Sequence, residues 1–160
     1  LLDTVQIKQH AKRGFDILRP SFPSAVAQIA YQHHEREDGS GYPLGLIGAD
    51  LPVHSKIVAT ADSFDAMVSQ RVYEHPQWND QALQELEEES PAKYDPKVVV
   101  ALRQAVALYP VGSVVQLTDG EQRVVVAAAM TRSILQKPGH LHDLLELPAD
   151  QFTRIEKRVL

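Results

Sequence analysis

His33-His34-Glu35-Arg36-Glu37-Asp38-Gly39-Ser40-Gly41-Tyr42-Pro43 runs two adjacent histidines and a carboxylate into a loop built on Gly39, Gly41 and Pro43. Imidazole and carboxylate are metal-binding groups. A glycine backbone can approach a ligand closely because no Cβ stands in the way. Together they point to a ligand site at the place where a helix gives way to a loop.

The flanking sequence predicts that helix and others around it. Leu2, Val5, Phe15 and Leu18 mark an apolar helix face over residues 3–18, and Pro20 and Pro23 end it. Ser24 is the expected N-cap of a second helix running to His34, with Val26, Ile29 and Ala30 on its buried side. Residues 35–52 hold four glycines and two prolines, too many for a regular element. Loops of that length in compact domains tend to be functional or disordered. A third helix starts at Pro52 and runs to about Ser69, with Ile57, Ala61, Phe64 and Val68 as its apolar face. Asn79 or Asp80 caps a fourth helix ending in Glu87-Glu88-Glu89. Asp95-Pro96, a cap followed by a helix-starting proline, launches a fifth from Lys97 to Leu108.

Beyond residue 109 the character changes. Val111 to Leu117 is β-branched, Asp119-Gly120 is a hairpin signal, and Arg123 to Ala127 answers as a second strand. Ser133 to Gln136 adds a third strand, and the last dozen residues read as a short helix. The expected fold class is mainly α: a bundle of about five helices over residues 1–109, then a small β-hairpin or three-stranded appendage over residues 110–160.

Composition narrows the function. At 160 residues and 44% apolar content, the chain suffices for one compact domain, or one with a small appendage. Its formal charge of -5 argues against attraction to a nucleic acid polymer, so an anionic substrate needs local positive charge, which bound metal ions can provide. The absence of cysteine excludes disulfide and thiolate chemistry and fits a reducing compartment, the cytoplasm. The longest apolar run, Val124 to Met130, is far short of the roughly 20 residues of a membrane span. Leu1 opens inside a helical pattern with no initiator Met, so a piece of a longer protein is expected.

The metal-ligand candidates extend past the opening run. Neighbours on a helix point roughly 100° apart, so His33 and His34 are expected to serve different ions or two sides of a cluster. Two metals about 3.5–4 Å apart can clamp the attacking and leaving oxygens of a phosphodiester. Asp62 lies in a mostly apolar helical stretch, where a carboxylate is costly to bury unless something positive meets it; Asp65 shares much of its face. His10 offers another imidazole. Glu35 and Glu37, at an exposed loop start, are ligands by type only, and Glu35 is expected to orient an imidazole. His54, His75, His140 and His142 lack such context and read as surface residues.

These motifs resemble the HD-GYP family of cyclic-di-GMP phosphodiesterases. The run from His33 to Pro43 matches its signature almost letter for letter. Lys8-Gln9-His10 with Gly14-Phe15-Asp16-Ile17-Leu18 resembles the family's ligand-histidine helix, and Ile57 to Ala66 its ligand-aspartate helix. Ser69-Gln70-Arg71-Val72-Tyr73 resembles the stretch whose arginine reaches substrate phosphate, and Tyr94-Asp95-Pro96 the start of the last helix. The resemblance implies an HD-domain-like helical bundle and a di- or trinuclear centre of iron or manganese. His10, His33, His34 and Asp62 would be its ligands. Asp62 and Arg71 would act in catalysis, with Asp38, Gly41, Tyr42 and Arg71 facing the substrate. Tyr42 either stacks on a guanine or folds the loop onto the domain.

The implied activity is metal-dependent hydrolysis of cyclic di-GMP, in bacterial second-messenger signalling, to the linear dinucleotide or GMP. Two departures temper it. The family's His-Asp doublet and nearby lysine do not precede the signature, and four ligands are few for such a centre. Glu74 stands where a basic residue is usual. The competing expectation is an incompetent module that presents the 38–43 loop to a diguanylate cyclase or adaptor domain. Oligomeric state stays open, a homodimer among the options.

Overall fold

The computed structural model of the protein describes residues 4–69, 77–128, 132–140, 143–148 and 152–158. They form five α-helices and then five β-strands: α1 Thr4–Leu18, α2 Ser24–Gln32, α3 Val53–Val68, α4 Asn79–Glu89, α5 Pro96–Ala105, β1 Ser113–Leu117, β2 Gln122–Ala128, β3 Arg132–Gln136, β4 Leu144–Pro148 and β5 Phe152–Arg158. The fold class is mainly helical with a β appendage, as the sequence leads one to expect. The chain divides into two compact units, Leu1–Gln77 with Ala82–Val100, and Trp78–Gln81 with Ala101–Leu160. Among the described residues, no helix is long and apolar enough to cross a membrane.

In the first unit, α1 and α2 pack through small residues. Ala11 and Ala27 are fully buried, and a Cβ added to Gly14 would sit 3.6 Å from the Ala30 Cβ. The Phe15 and Tyr31 rings flank this contact at 5.3 Å. Val26, expected inside, is exposed, and Ala27 takes its place. Pro23, not Ser24, occupies the N-cap of α2, which has no side-chain cap bond.

The buried face of α3 is also not the predicted one. Ile57 is half exposed, while Ser55, Ala59, Thr60 and Ser63 are buried. Small side chains let this helix approach α2 closely, and their hydroxyls find acceptors locally. Thr60 Oγ1 donates to the Lys56 carbonyl at 2.9 Å, Ser63 Oγ to the Ala59 carbonyl at 2.9 Å, and Ser55 Oγ to Gln32 Oε1 at 2.7 Å. A buried hydroxyl satisfied in this way avoids the cost of desolvation. The start of α5 follows the sequence: Asp95 caps it by accepting the Lys97 N–H at 2.9 Å, with Pro96 first in the helix.

The second unit holds an antiparallel sheet of strand order β4-β3-β2-β1-β5. Its core is Val115, Leu117, Val125 and Leu135, packed against Tyr109, Leu145 and Leu147. The Asp119-Gly120 turn joins β1 to β2, with Gly120 at φ +89° and the Glu121 N–H on Asp119 Oδ1 at 2.9 Å. Arg123, nearly buried, meets Glu121 at 3.1 Å and Asp143 at 2.9 Å. The sheet has two strands more than the three expected. The terminal segment, read as a helix, is β5, because its backbone pairs with β1, Leu117 opposite Phe152 and Val115 opposite Arg154.

Candidate metal centre

The chain trajectory at the end of α2 brings the two adjacent histidines together. The helix closes at Gln32, His33 is its C-cap, and the Glu35 N–H turns back to the Gln32 carbonyl at 2.9 Å. His34 therefore lies past the helix, and the expected divergence of roughly 100° between helical neighbours does not apply. The rings of His33 and His34 lie 4.0 Å apart, and both face His10 from α1, at 5.1 and 4.9 Å between ring centroids. One ring nitrogen from each of the three lies within 4.8 Å of the others.

Hydrogen bonding fixes which nitrogens face inward. His33 Nδ1 lies 2.8 Å from the Ala30 carbonyl, and His10 Nδ1 bonds the Ile7 carbonyl. A ring nitrogen against a carbonyl must carry the proton, which leaves Nε2 of each neutral ring as a lone pair. His10 Nε2 is 3.0 Å from both His33 Nε2 and His34 Nε2. Burial first, and His33 second, push the His34 imidazole down to about 4, so it is neutral at pH 7. Its 3.8 Å approach to Asp62 Oδ2 is then a polar contact, not an ion pair. Converging lone pairs repel unless a cation sits among them. Two nitrogens at about 2.1 Å from one ion and at right angles to each other would be about 3.0 Å apart. The donor set thus fits a metal ion.

Asp62 is exposed on α3, with its side chain 45% accessible. The anticipated cost of burying it does not arise. Asp65 accepts the Ser69 hydroxyl at 3.1 Å. Arg71, together with Tyr73, Glu74 and His75, lies outside the described residues.

The loop after the histidines is held from inside. Glu35 is 1% exposed, against the expectation of an exposed loop start. Its carboxylate does not orient an imidazole directly. Oε1 accepts the Leu44 N–H at 2.7 Å and Oε2 the Leu46 N–H at 2.9 Å. Gly41 lies so close to the α2 end that a Cβ would meet Glu35 Cα at 2.4 Å, Arg36 N at 2.5 Å and the His34 carbonyl at 2.5 Å. The Tyr42 N–H donates to that carbonyl at 3.1 Å, and its ring stacks on His34 at 4.6 Å and 27°. Asp38 is an exposed turn former: Oδ1 accepts the Ser40 N–H at 2.9 Å, and its backbone pairs with Ile47. The Ser40 hydroxyl first, and that Ser40 N–H second, hold its carboxyl below the usual range.

Sequence reasoning passed over two lysines. The Lys56 ammonium lies 3.0 Å from Glu37 and 3.4 Å from Asp95, tying the loop to the start of α5. Lys8 Nζ stands 5.1 Å from the Tyr42 ring centroid. Lys56 had a sequence signal, being the one lysine or arginine of α3. Behind the loop, Gln32, Glu35, Glu37, Lys56, Thr60 and Asp95 line a hollow large enough for about one water, too small for a nucleotide.

Comparison with known proteins bears on the family and the fold. The HD domain family model matches residues 2–98. The chain is 49% identical over 98 residues to a cyclic di-GMP phosphodiesterase of Thermotoga maritima, covering 59% of this chain and 27% of that protein. It is 43% identical to the cyclic di-GMP phosphodiesterase response regulator RpfG of Xanthomonas campestris, covering 60% of this chain and 26% of the relative. A crystal structure of a cyclic GMP-AMP specific phosphodiesterase from Vibrio cholerae superposes with a TM-score of 0.51 at 33% identity, over 61% of this chain and 22% of that one. The chain thus spans about a quarter of the length of these relatives. With its matched helices and its His33–Pro43 run, it belongs to the HD domain family, as an HD-GYP-like member.

Proposed function

We propose that the protein is a metal-dependent phosphodiesterase that opens cyclic di-GMP to the linear dinucleotide or GMP. The observation that carries this is the convergence of the Nε2 atoms, that of His10 lying 3.0 Å from those of both His33 and His34, with Asp62 beside them. Relatives named for cyclic di-GMP hydrolysis support the substrate class. His10, His33, His34 and Asp62 would hold a di- or trinuclear centre of iron or manganese. When bound, the ions supply Lewis-acid charge and make a nucleophile available near neutral pH.

The chain's own groups then bind and orient. Arg71 would meet the charge growing on the phosphoryl oxygens, and Asp62 would act beside it at the metal edge. Asp38, Gly41 and Tyr42 would shape the mouth that receives the substrate. The functional domain is placed in residues 1–109, with residues 110–160 as an extension to which no chemistry is assigned.

Metal analysis with turnover of cyclic di-GMP, run in parallel with 3'3'-cGAMP, tests the reading. Relatives of the latter specificity also match. His33→Ala is expected to lose metal and activity together; full activity with metal retained would sink the assignment. Among the described residues, three imidazoles and one carboxylate are few for two or three ions. That favours, as second reading, a module that binds a diguanylate cyclase or an adaptor domain through the 38–43 loop. A metal-loaded protein that turns over neither dinucleotide but captures such a partner would select it.

A further inference from the structure

We propose that Glu35 is the positioning residue of the metal centre: it ties the turn at residues 41–46 to the end of α2 and so holds the Tyr42 ring on His34. The inference rests on the metal reading above and adds a residue that acts without touching metal or substrate.

A carboxylate removed from water is costly unless its oxygens are fully met. Glu35 meets that demand with two backbone N–H groups of one turn, Leu44 at 2.7 Å and Leu46 at 2.9 Å. Each oxygen takes one donor, an arrangement only a carboxylate offers, since an amide of the same shape would aim its NH2 at one of the two N–H groups.

The turn held in this way returns to the residue adjacent to Glu35. Gly41 touches the backbone of residues 34–36, the Tyr42 N–H bonds the His34 carbonyl, and the phenol ring lies on the His34 imidazole. On its other sides His34 meets His10, His33 and Asp62, all of them ligand candidates. Tyr42 is the member of this set that is not a ligand candidate, and its stacked ring fixes the tilt of the imidazole. A carboxylate serving stability alone would need no such return path to a ligand candidate. Glu35 links sequence position, loop closure and imidazole aim in three contacts.

The test uses the protein loaded with Mn(II), free ion being followed by its electron paramagnetic resonance, and the ring-proton resonances of His34 in the metal-free protein. Glu35→Gln is expected to weaken Mn(II) binding about 10–100-fold and to abolish the ring-current shift that Tyr42 imposes on His34. Tyr42→Ala should reproduce both effects, and Tyr42→Phe, which keeps the ring, should restore both. Should Glu35→Gln be too unstable to isolate, the Tyr42 pair still decides the role of the ring contact. Wild-type Mn(II) affinity and an unchanged His34 shift in Glu35→Gln or in Tyr42→Ala would overturn the proposal. Failure of the wild type to bind Mn(II) would instead overturn the metal reading, while the His34 shift in the metal-free protein would still decide the positioning.

Discussion

Gly41→Ala asks for space that the fold does not have. The new Cβ would stand 2.4 Å from Glu35 Cα and 2.5 Å from both Arg36 N and the His34 carbonyl oxygen. Ordinary contacts begin near 3.4 Å, so each is about 1 Å short. All three neighbours are backbone atoms, and none can swing aside. Relief requires lifting residues 40–43 off the α2 end, which breaks the Tyr42 N–H bond to the His34 carbonyl. Overpacking of about 1–3 kcal/mol and a hydrogen bond of about 0.5–1.5 kcal/mol together give an expected loss of about 1.5–4.5 kcal/mol. Equilibrium urea unfolding followed by far-UV circular dichroism measures it as a lower midpoint at unchanged slope. Gly48→Ala is the control. Its Cβ would meet the Glu37 carboxylate, a side-chain end that can rotate at the expense of its Lys56 pair, and the nearest backbone atom is 3.6 Å away, so its cost is limited to that pair. A Gly41→Ala variant within about 0.5 kcal/mol of wild type, the range of ordinary surface changes, would refute the close approach.

Two further outcomes follow from charged groups away from the histidines. Burial alone would raise the Asp95 carboxyl, but the Lys97 N–H and the Lys56 ammonium outweigh it and hold the group below its ordinary value. A depressed folded-state value stabilises above the unfolded value of about 3.9 and is lost as pH falls through the folded one. Asp95→Asn should therefore flatten the acid limb of the stability curve below about pH 4, and an unchanged acid limb counts against the Lys56 bridge. In the second unit, Arg123→Lys keeps the charge but loses the fork that spans Glu121 and Asp143. A loss of about 1–2 kcal/mol is expected, read as faster amide exchange in β2; exchange at the wild-type rate would show that the fork contributes nothing.

Some of the fold could be read from the sequence because local chemistry dictates it. Asp95-Pro96 starts a helix wherever it stands, Asp119-Gly120 turns a hairpin, and the density of glycine after His34 forbids a regular element. Residue types offered His10, His33, His34 and Asp62 among other candidates, and the resemblance to the HD-GYP family singled out these four. The buried face of α3 escaped notice because Ser55, Ala59, Thr60 and Ser63 carry no hydrophobic period. The interior place of Glu35 escaped because carboxylates are seldom buried, and nothing local announces the amides of Leu44 and Leu46 that receive it. The terminal strand looked helical because Glu156-Lys157-Arg158 suits an exposed helix, and its pairing with β1 is a contact between distant segments. Adjacency of His33 and His34 misled because the helix closes at Gln32, two residues earlier than the pattern suggests.

The inner fastening of the loop has a kinetic side. Glu35 grips the amides of Leu44 and Leu46, and the Glu37 carbonyl takes the Gly48 N–H while its side chain takes Lys56. The segment's conformational entropy is thus surrendered when the domain folds, and none of it remains to be lost on encounter. A ligand arriving at this face meets a finished surface. Its association rate should follow solvent viscosity and ionic strength, with no slow ordering phase after first contact.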